Sequence, residues 1–206
     1  MHVHTKYSAD CNMRPIDIIN KELSTGIDCA AIADHNSFSS FKDFDKSGIK
    51  TIKGEEISTN NGHLIGLFLE EAVKSRDFFE ACDEIHSQGA ISILPHPYRA
   101  HKNPENLVGN VDVVEIFNAR TSNRDNEKAS LLADENKKTR ICGSDAHFSS
   151  ELGHGVIDVK TEDLQDARKL ILKGKFEMVL TPSPFYVHPM TWLVKGIKLL
   201  SYFVKR

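Results

Sequence analysis

The sequence predicts an α/β fold, either an α/β barrel or a doubly wound sheet. Short runs rich in Val, Ile and Ala alternate with helix-like patterns along most of the chain, and this alternation is typical of βα units. Several runs are apolar throughout, as expected for parallel strands that helices cover on both faces. Polar residues follow these runs where the strands would end, at the edge where parallel α/β folds build active sites.

Seven segments carry the strand pattern of β-branched and other apolar residues. They are CAAIAD (29–34), IKTIKG (49–54), HLIGLFL (63–69), AISIL (90–94), DVVEIF (112–117), TRICG (139–143) and GVIDV (155–159).

Four segments between these runs predict helices. The first begins at Pro15, continues through Ile19 and Leu23, and stops at Gly26, which follows the preference for Pro in the first turn and Gly after the last. The other predicted helices are 76–88, 122–138 and 162–173.

Composition narrows the class of protein. The chain has 206 residues, 40% of them hydrophobic, and a net charge of -3, so we expect one soluble domain and no stable nucleic-acid binding. The four cysteines have no CxxC spacing, which predicts buried free thiols in a reducing compartment. We find no basic-then-apolar leader and no apolar run of the ~20 residues that span a bilayer. These features predict a cytoplasmic protein.

The tail 188–206 differs in composition from the rest of the chain. Leu193, Ile197, Leu200 and Val204 fall on one helical stripe, and lysines are available for other faces. We expect an amphipathic helix packed on the domain formed by residues 1–187. Contact of a basic amphipathic helix with a membrane or a partner is the alternative.

The first candidate metal ligands lie in MHVHTKYSAD (1–10), where His2 and His4 would share one face of a strand. The first two predicted strands are followed by His35 and Glu56, and later ones by His96 and by Asp145 with His147. The full set of candidate ligands is His2, His4, Asp10, Asp34, His35, Glu56, His63, His96, Asp145 and His147. Imidazole and carboxylate without thiolate suit Zn, Mn or Fe. So large a set predicts two or three ions, with a carboxylate such as Glu56 bridging.

Each candidate has a simpler interpretation when taken alone. His63 would serve as a core histidine, His96 between two prolines as a turn residue, and GSDAH (143–147) as a polar loop in which Gly143 indicates close backbone approach. Spacing does not choose between Glu56 and Glu55. We assign the remaining histidines, His86, His101, His154 and His188, to the surface or to supporting positions. The repeated placement of polar residues at strand ends favours a metal site.

An ordered set of motifs over residues 1–160 resembles the polymerase and histidinol phosphatase (PHP) family of metal-dependent phosphoesterases. The motifs are HVHTKYSAD (2–10), IADHNS (32–37), GEEIS (54–58), GHLIGL (62–67), HP (96–97) and SDAH (144–147). The resemblance implies a distorted, seven-stranded (β/α) barrel with a trinuclear metal centre at the strand C-termini.

The resemblance also implies a ligand set and selects Glu56, because the family pattern is G-x-E. One ion would take His2, His4, Glu56 and Asp145, a second Glu56, His63 and His96, and a third Asp10, His35 and His147. Mg²⁺ is a further candidate ion. Asp34 lies outside that set, and we assign it proton transfer or a supporting position.

The expected activity is hydrolysis of small phosphomonoesters such as nucleotides. A metal-activated hydroxide would attack phosphorus in line, with Glu56 and Asp34 as the catalytic carboxylates. Arg99 and Arg120 with Asn118 would bind substrate, because the guanidinium fork matches phosphate; a rim salt bridge is the alternative. The competing functions are histidinol phosphatase, amidohydrolase or deoxyribonuclease chemistry, and a non-catalytic metal-binding scaffold. The sequence predicts no oligomeric state.

Overall fold

The structure, a computed structural model, describes residues 1–45 and 50–204. The helices are α1 (Pro15–Thr25), α2 (Phe41–Phe44), α3 (Phe78–Ser87), α4 (Pro97–Ala100), α5 (Pro104–Leu107), α6 (Asn123–Glu135), α7 (Leu164–Leu172) and α8 (Val187–Val204), with 3₁₀ turns at Val108–Asn110 and Ser149–Glu151. The strands are β1 (Ala30–His35), β2 (Thr51–Thr59), β3 (Gly62–Leu67), β4 (Ile91–Leu94), β5 (Val113–Asn118), β6 (Thr139–Gly143), β7 (Gly155–Asp158) and β8 (Glu177–Leu180).

The first six strands form one sheet in chain order, and β7 and β8 form a separate antiparallel pair. The pairs β1–β2, β4–β5 and β5–β6 are parallel, whereas β3 is antiparallel to both of its neighbours. The α/β class is therefore confirmed, and β3 departs from the parallel strand direction that is typical of apolar runs. The reason is local: only two residues separate Thr59 from Gly62, and so short a connection joins only antiparallel strands.

Residues at the N-terminus lie between the two edges of this curled sheet. Val3 forms parallel bridges to Ile32 of β1 and to Ala146 after β6. His2 has φ 58°, so the expected regular strand over His2–His4 is reduced to these bridges. The described part of the chain has a six-stranded sheet joined through Val3, and the seven-stranded barrel stays a prediction.

The predicted helices form with shorter bounds. α1 ends at Gly26 with φ 72°, and α6 and α7 begin after Ser122 and Asp163, whose side chains accept backbone N–H groups of the first turn. All seven predicted strand segments contain a strand, although Ile49 of the second lies outside the described residues. β8 was not predicted.

Buried apolar side chains lie on both faces of the sheet, as period-two alternation requires. Ile65 and Ile93 pack in one cluster with Ile141, whereas their neighbours Leu64 and Leu94 pack in another that includes helix α3. The four cysteines are free thiols, and all except the half-buried Cys29 are buried. None of the helices in the described ranges is long and apolar enough to cross a membrane.

Candidate metal centre

The strand order brings the predicted ligands to one edge of the sheet. His35 ends β1, and Glu56 of β2 is its partner in register. His96 comes two residues after β4, and Asp145 comes two residues after β6. Because β3 runs in the opposite direction, its second residue, His63, lies at this same edge.

Three of these residues have left-handed backbone conformations. The φ angles are 58° at His2, 30° at His96 and 51° at Asp145. Such conformations cost non-glycine residues about 1–3 kcal/mol and persist where the surroundings hold them in place, often at functional sites. Asn36, Phe68 and Lys137 share this conformation, so three of the six such residues in the described part of the chain are predicted ligands.

The Glu56 carboxylate lies at the centre of the cluster and is fully buried. One of its oxygens, Oε1, is 2.7 Å from Nδ1 of His63 and 3.1 Å from Nε2 of His96. The other, Oε2, is 3.1 Å from Nδ1 of His35 and 3.3 Å from Nε2 of both His2 and His4. A carboxylate whose two oxygens face different histidines has the arrangement of a bridging ligand.

Two further carboxylates border the same imidazoles. Asp145 Oδ1 is 3.2 Å from His4 Nε2 and 3.7 Å from His2 Nε2. Asp10 lies on the other side, with its oxygens 3.3 Å from His147 Nε2 and 3.6 Å from His35 Nε2. All nine residues of the predicted ligand set therefore meet in one cluster.

Charge and burial determine the protonation of the cluster. Burial lowers the pKa of His35 and of His96 to about 4 each, so both are neutral at pH 7, the form that binds metal. Burial also opposes a charge on His4, but the neighbouring carboxylates of Asp145 and Glu56 outweigh burial and raise its pKa to about 9. Although burial favours a neutral Glu56, the surrounding histidines hold the pKa of this carboxyl well below its usual range.

The donor set fits divalent ions. Buried ligand atoms without a hydrogen-bond partner among the described residues include Nε2 of His4, Oδ1 of Asp10 and Nδ1 of His63, and such atoms are costly unless something binds them. Four triplets have ligand atoms within 4.8 Å of one another: His4–His35–His147, His2–Glu56–His96, His2–His4–Asp145 and His35–Glu56–His63. These triplets overlap the predicted division among three ions without reproducing it, so that division stays a prediction.

Glu115, a buried carboxylate of β5, was not among the predicted site residues. Its Oε1 accepts a hydrogen bond from Nδ1 of His2 at 2.9 Å, and its Oε2 accepts from the backbone N–H of His96 at 2.9 Å. A carboxylate that holds the far nitrogen of a ligand histidine orients the near nitrogen toward the metal. The available signal was a charged residue inside the apolar run DVVEIF, because Glu is almost never buried without a partner.

The Asp34 carboxylate lies next to the cluster, and both of its oxygens accept hydrogen bonds from the loop that contains Thr5 and Ser8. It accepts hydrogen bonds from the backbone N–H and hydroxyl of Thr5 and from the hydroxyl of Ser8. The Ser8 oxygen is in turn 3.1 Å from Nδ1 of His4. Because the Ser8 hydroxyl donates to Asp34, His4 Nδ1 donates to Ser8, and Nε2 is left facing Glu56 and Asp145. This geometry favours a role for Asp34 in positioning His4 over a role in proton transfer.

The predicted substrate residues differ in accessibility. Asn118 is fully buried, and its amide group contacts Glu115, Asp145 and Arg99. Arg120 is buried, pairs with Glu151 at 2.9 Å and lies 3.1 Å from Nδ1 of His147. Arg99 bonds to Asp145 and to Asn118, and a third of its side chain is exposed.

The other histidines lie around or away from the cluster. His101 Nε2 is 2.6 Å from the carbonyl oxygen of His63, so it supports a ligand strand. His86 pairs with Asp112, and His154 contacts Ser183. His188 is exposed.

Fold and site together define an α/β domain with a buried imidazole–carboxylate cluster at one edge of its sheet. The family model of the PHP domain matches residues 1–173. The chain therefore belongs to the PHP domain family.

Known relatives support this assignment. The chain is 34% identical over 169 residues to the uncharacterized protein MJ0417 of Methanocaldococcus jannaschii, with 76% of this chain and 68% of that protein covered. It is also 34% identical over 137 residues to the uncharacterized protein MJ1587 of the same organism, with 58% of this chain and 80% of that protein covered.

Solved structures share the fold. One is a two-domain protein from Bacteroides vulgatus that contains a predicted PHP-like metal-dependent phosphoesterase, with a TM-score of 0.72 and 21% identity over 87% of this chain and 63% of that one. This chain thus spans less than two thirds of that protein. Another is an amidohydrolase from Chromobacterium violaceum with bound sulfate and no metal, with a TM-score of 0.63 and 16% identity over 85% of this chain and 96% of that one.

Proposed function

We propose that this protein is a hydrolase that releases phosphate from small phosphomonoesters, with nucleotides as the favoured substrate class. The observation that carries the proposal is the Glu56 carboxylate, whose oxygens lie within 3.3 Å of five imidazole nitrogens. Membership of the PHP family and the phosphoesterase named among its structural neighbours support a hydrolase.

The proposed centre holds two to three divalent ions on the nine ligand residues His2, His4, Asp10, His35, Glu56, His63, His96, Asp145 and His147. Zn, Mn and Fe suit this donor set best, and Mg²⁺ is a further candidate. When bound, such ions offset the negative charge of phosphate oxygens and activate water as a nucleophile. The ion-free cluster has three carboxylates of its own, so a phosphate dianion would be repelled from it.

The residues of the chain itself supply positioning and substrate binding. Arg99 is the proposed phosphate contact, because its guanidinium is partly exposed beside Asp145 and presents paired N–H donors. Glu115 holds His2 and His96. Asp34 holds His4 through Ser8, and we propose it as a positioning residue. Asn118 and Arg120 are buried beside Asp145 and His147, and we propose them as positioning residues.

An amidohydrolase is the second candidate function, favoured by the shared fold with the amidohydrolase from Chromobacterium violaceum. The sulfate bound to that protein has the shape and charge of phosphate, which is compatible with either activity. A histidinol phosphatase would use the same centre on a different leaving group. A scaffold would bind metal without hydrolysis.

Adjacent glutamates provide a matched test. Glu56 and Glu55 are both buried but face opposite sides of β2, and Glu55 accepts the backbone N–H of Val73. We expect Glu56→Gln to lose bound metal and phosphate release, whereas Glu55→Gln keeps both. Metal content by mass spectrometry and phosphate release from nucleoside monophosphates and histidinol phosphate are the two readouts.

The outcomes separate the candidates. Hydrolysis of amide substrates alone would assign the second candidate, and bound metal without any hydrolysis would assign the scaffold. Full phosphate release by metal-depleted Glu56→Gln would contradict the proposal.

A further inference from the structure

The C-terminal helix α8 has its amphipathic faces reversed relative to a helix packed on a core. The face toward the domain consists of Val187, Thr191, Val194 and Lys198, which are buried or half-buried. The outer face has large apolar side chains, with exposed fractions of 80% at Trp192, 65% at Leu193, 53% at Ile197 and 67% at Leu200. The Leu193–Ile197–Leu200 stripe is therefore exposed, and α8 contacts the domain through its opposite face.

Polar contacts fix this orientation. The Lys198 ammonium donates to the carbonyl oxygens of Lys6 and Ser8 at 2.8 Å each. Nearer the start of the helix, the Thr191 hydroxyl accepts a hydrogen bond from the Arg120 guanidinium. These contacts point the apolar residues outward, since the helix cannot rotate to bury them without breaking both attachments.

The charge of the segment indicates what covers this face. No Asp or Glu occurs after Glu177, whereas Lys195, Lys198, Lys205 and Arg206 all lie in the tail. The tail thus has a charge of +4 from these residues in a chain of net charge -3, and among the four the Lys198 ammonium is held against the domain. Pairing of two such helices would bring like charges together with no acidic residue in the helix to offset them.

We propose that α8 binds the surface of an anionic membrane, lying flat with its outer face among the lipid headgroups. Helices of this kind combine an apolar face with basic residues that attract anionic lipids. Trp192 and the half-exposed Tyr186 are residue types that favour the boundary between water and hydrocarbon. The family match ends at residue 173, so α8 lies outside the matched PHP domain.

Vesicle flotation of the full-length protein tests the proposal. We compare vesicles of phosphatidylcholine alone with vesicles that also contain phosphatidylglycerol. The wild-type protein should bind the anionic vesicles, and added salt should weaken binding. Trp192→Ser with Leu200→Ser should lower the affinity at least about tenfold, because each large apolar side chain contributes that much on transfer from water. Lys195→Glu should weaken binding without removing apolar surface.

Leu23→Ser is the matched control, because Leu23 is 77% exposed on α1, and it should leave binding unchanged. Three results would overturn the proposal. The first is no binding to either vesicle, and the second is equal binding to both. The third is a dimer in light scattering that Trp192→Ser with Leu200→Ser dissociates, because a second copy would then cover the face.

Discussion

Glu115 shows how one residue controls two ligands. It joins the side chain of His2, near the start of the chain, and the backbone of His96, near its middle. Both histidines have strained backbones, with φ 58° and 30°. The Glu115 carboxylate thus helps to hold His2 and His96 in their left-handed backbone conformations.

We expect Glu115→Gln to weaken metal binding about 10–100-fold, the usual effect of removing the partner of a ligand histidine. A neutral amide holds the His2 ring less firmly than a carboxylate does. Titration calorimetry with Mn²⁺ or Zn²⁺ measures the change, with Glu105→Gln on the exposed surface as the control. Unchanged metal affinity in Glu115→Gln would show that Glu115 does not position the ligand histidines.

Glu22 on α1 makes a pH-dependent contribution to folding. Burial raises its pKa from an ordinary 4.5 to about 7. Between these values the unfolded chain has lost the proton that the folded chain keeps, so stability falls as pH rises through this interval, and the full cost applies above pH 7.

We expect Glu22→Gln to remove this pH dependence and to raise the free energy of unfolding above pH 7 by about 1–3 kcal/mol relative to its effect at pH 4.5. Urea unfolding at both pH values measures the difference, with exposed Glu127→Gln as the control. A gain of equal size at both pH values would show that Glu22 is not the titrating group.

At the scale of elements, strand direction explains which ligands could be predicted. His35 ends β1, and His96 and Asp145 follow β4 and β6. The apolar runs of these strands allowed the positions to be predicted from the sequence. His63 reaches the same edge only because β3 is antiparallel. The Asn61-Gly62 pair is a hairpin signal that favours this reversal, although it was not used to predict the direction of the strand.

The contact of β6 with β5 yields a prediction at this scale. A Cβ added at Gly143 would collide with the Glu115 carboxylate and lie 2.8 Å from Cβ of His2. We expect Gly143→Ala to lower the free energy of unfolding by about 1–3 kcal/mol, as overpacking does, and to weaken metal binding by displacing both residues. Gly109→Ala, where the added Cβ meets nothing within 4 Å, is the control in urea unfolding. Equal stability of the two variants would contradict the close packing described.

At the scale of the whole molecule, the side of the sheet where β1 ends and the side where β1 begins have different residues. The histidine cluster occupies the edge where β1 ends, whereas a cavity of about 500 Å³ near the start of β1 is lined by Ala30, Ile52 and Glu22 and by no histidine. Local patterns predicted the α/β class and the ligand positions. They did not predict Glu115 or the outward face of α8, because both depend on contacts between segments distant in sequence.

We propose that Glu56 lies between divalent ions held by the histidine cluster. Anomalous diffraction from crystals grown with Mn²⁺ locates such ions and measures their distances from Glu56. We predict two or three anomalous peaks at the cluster, at least two of them within about 2.0–2.3 Å of a Glu56 oxygen, the usual metal–ligand distance. No peak beside Glu56, or peaks only elsewhere on the molecule, would contradict the account.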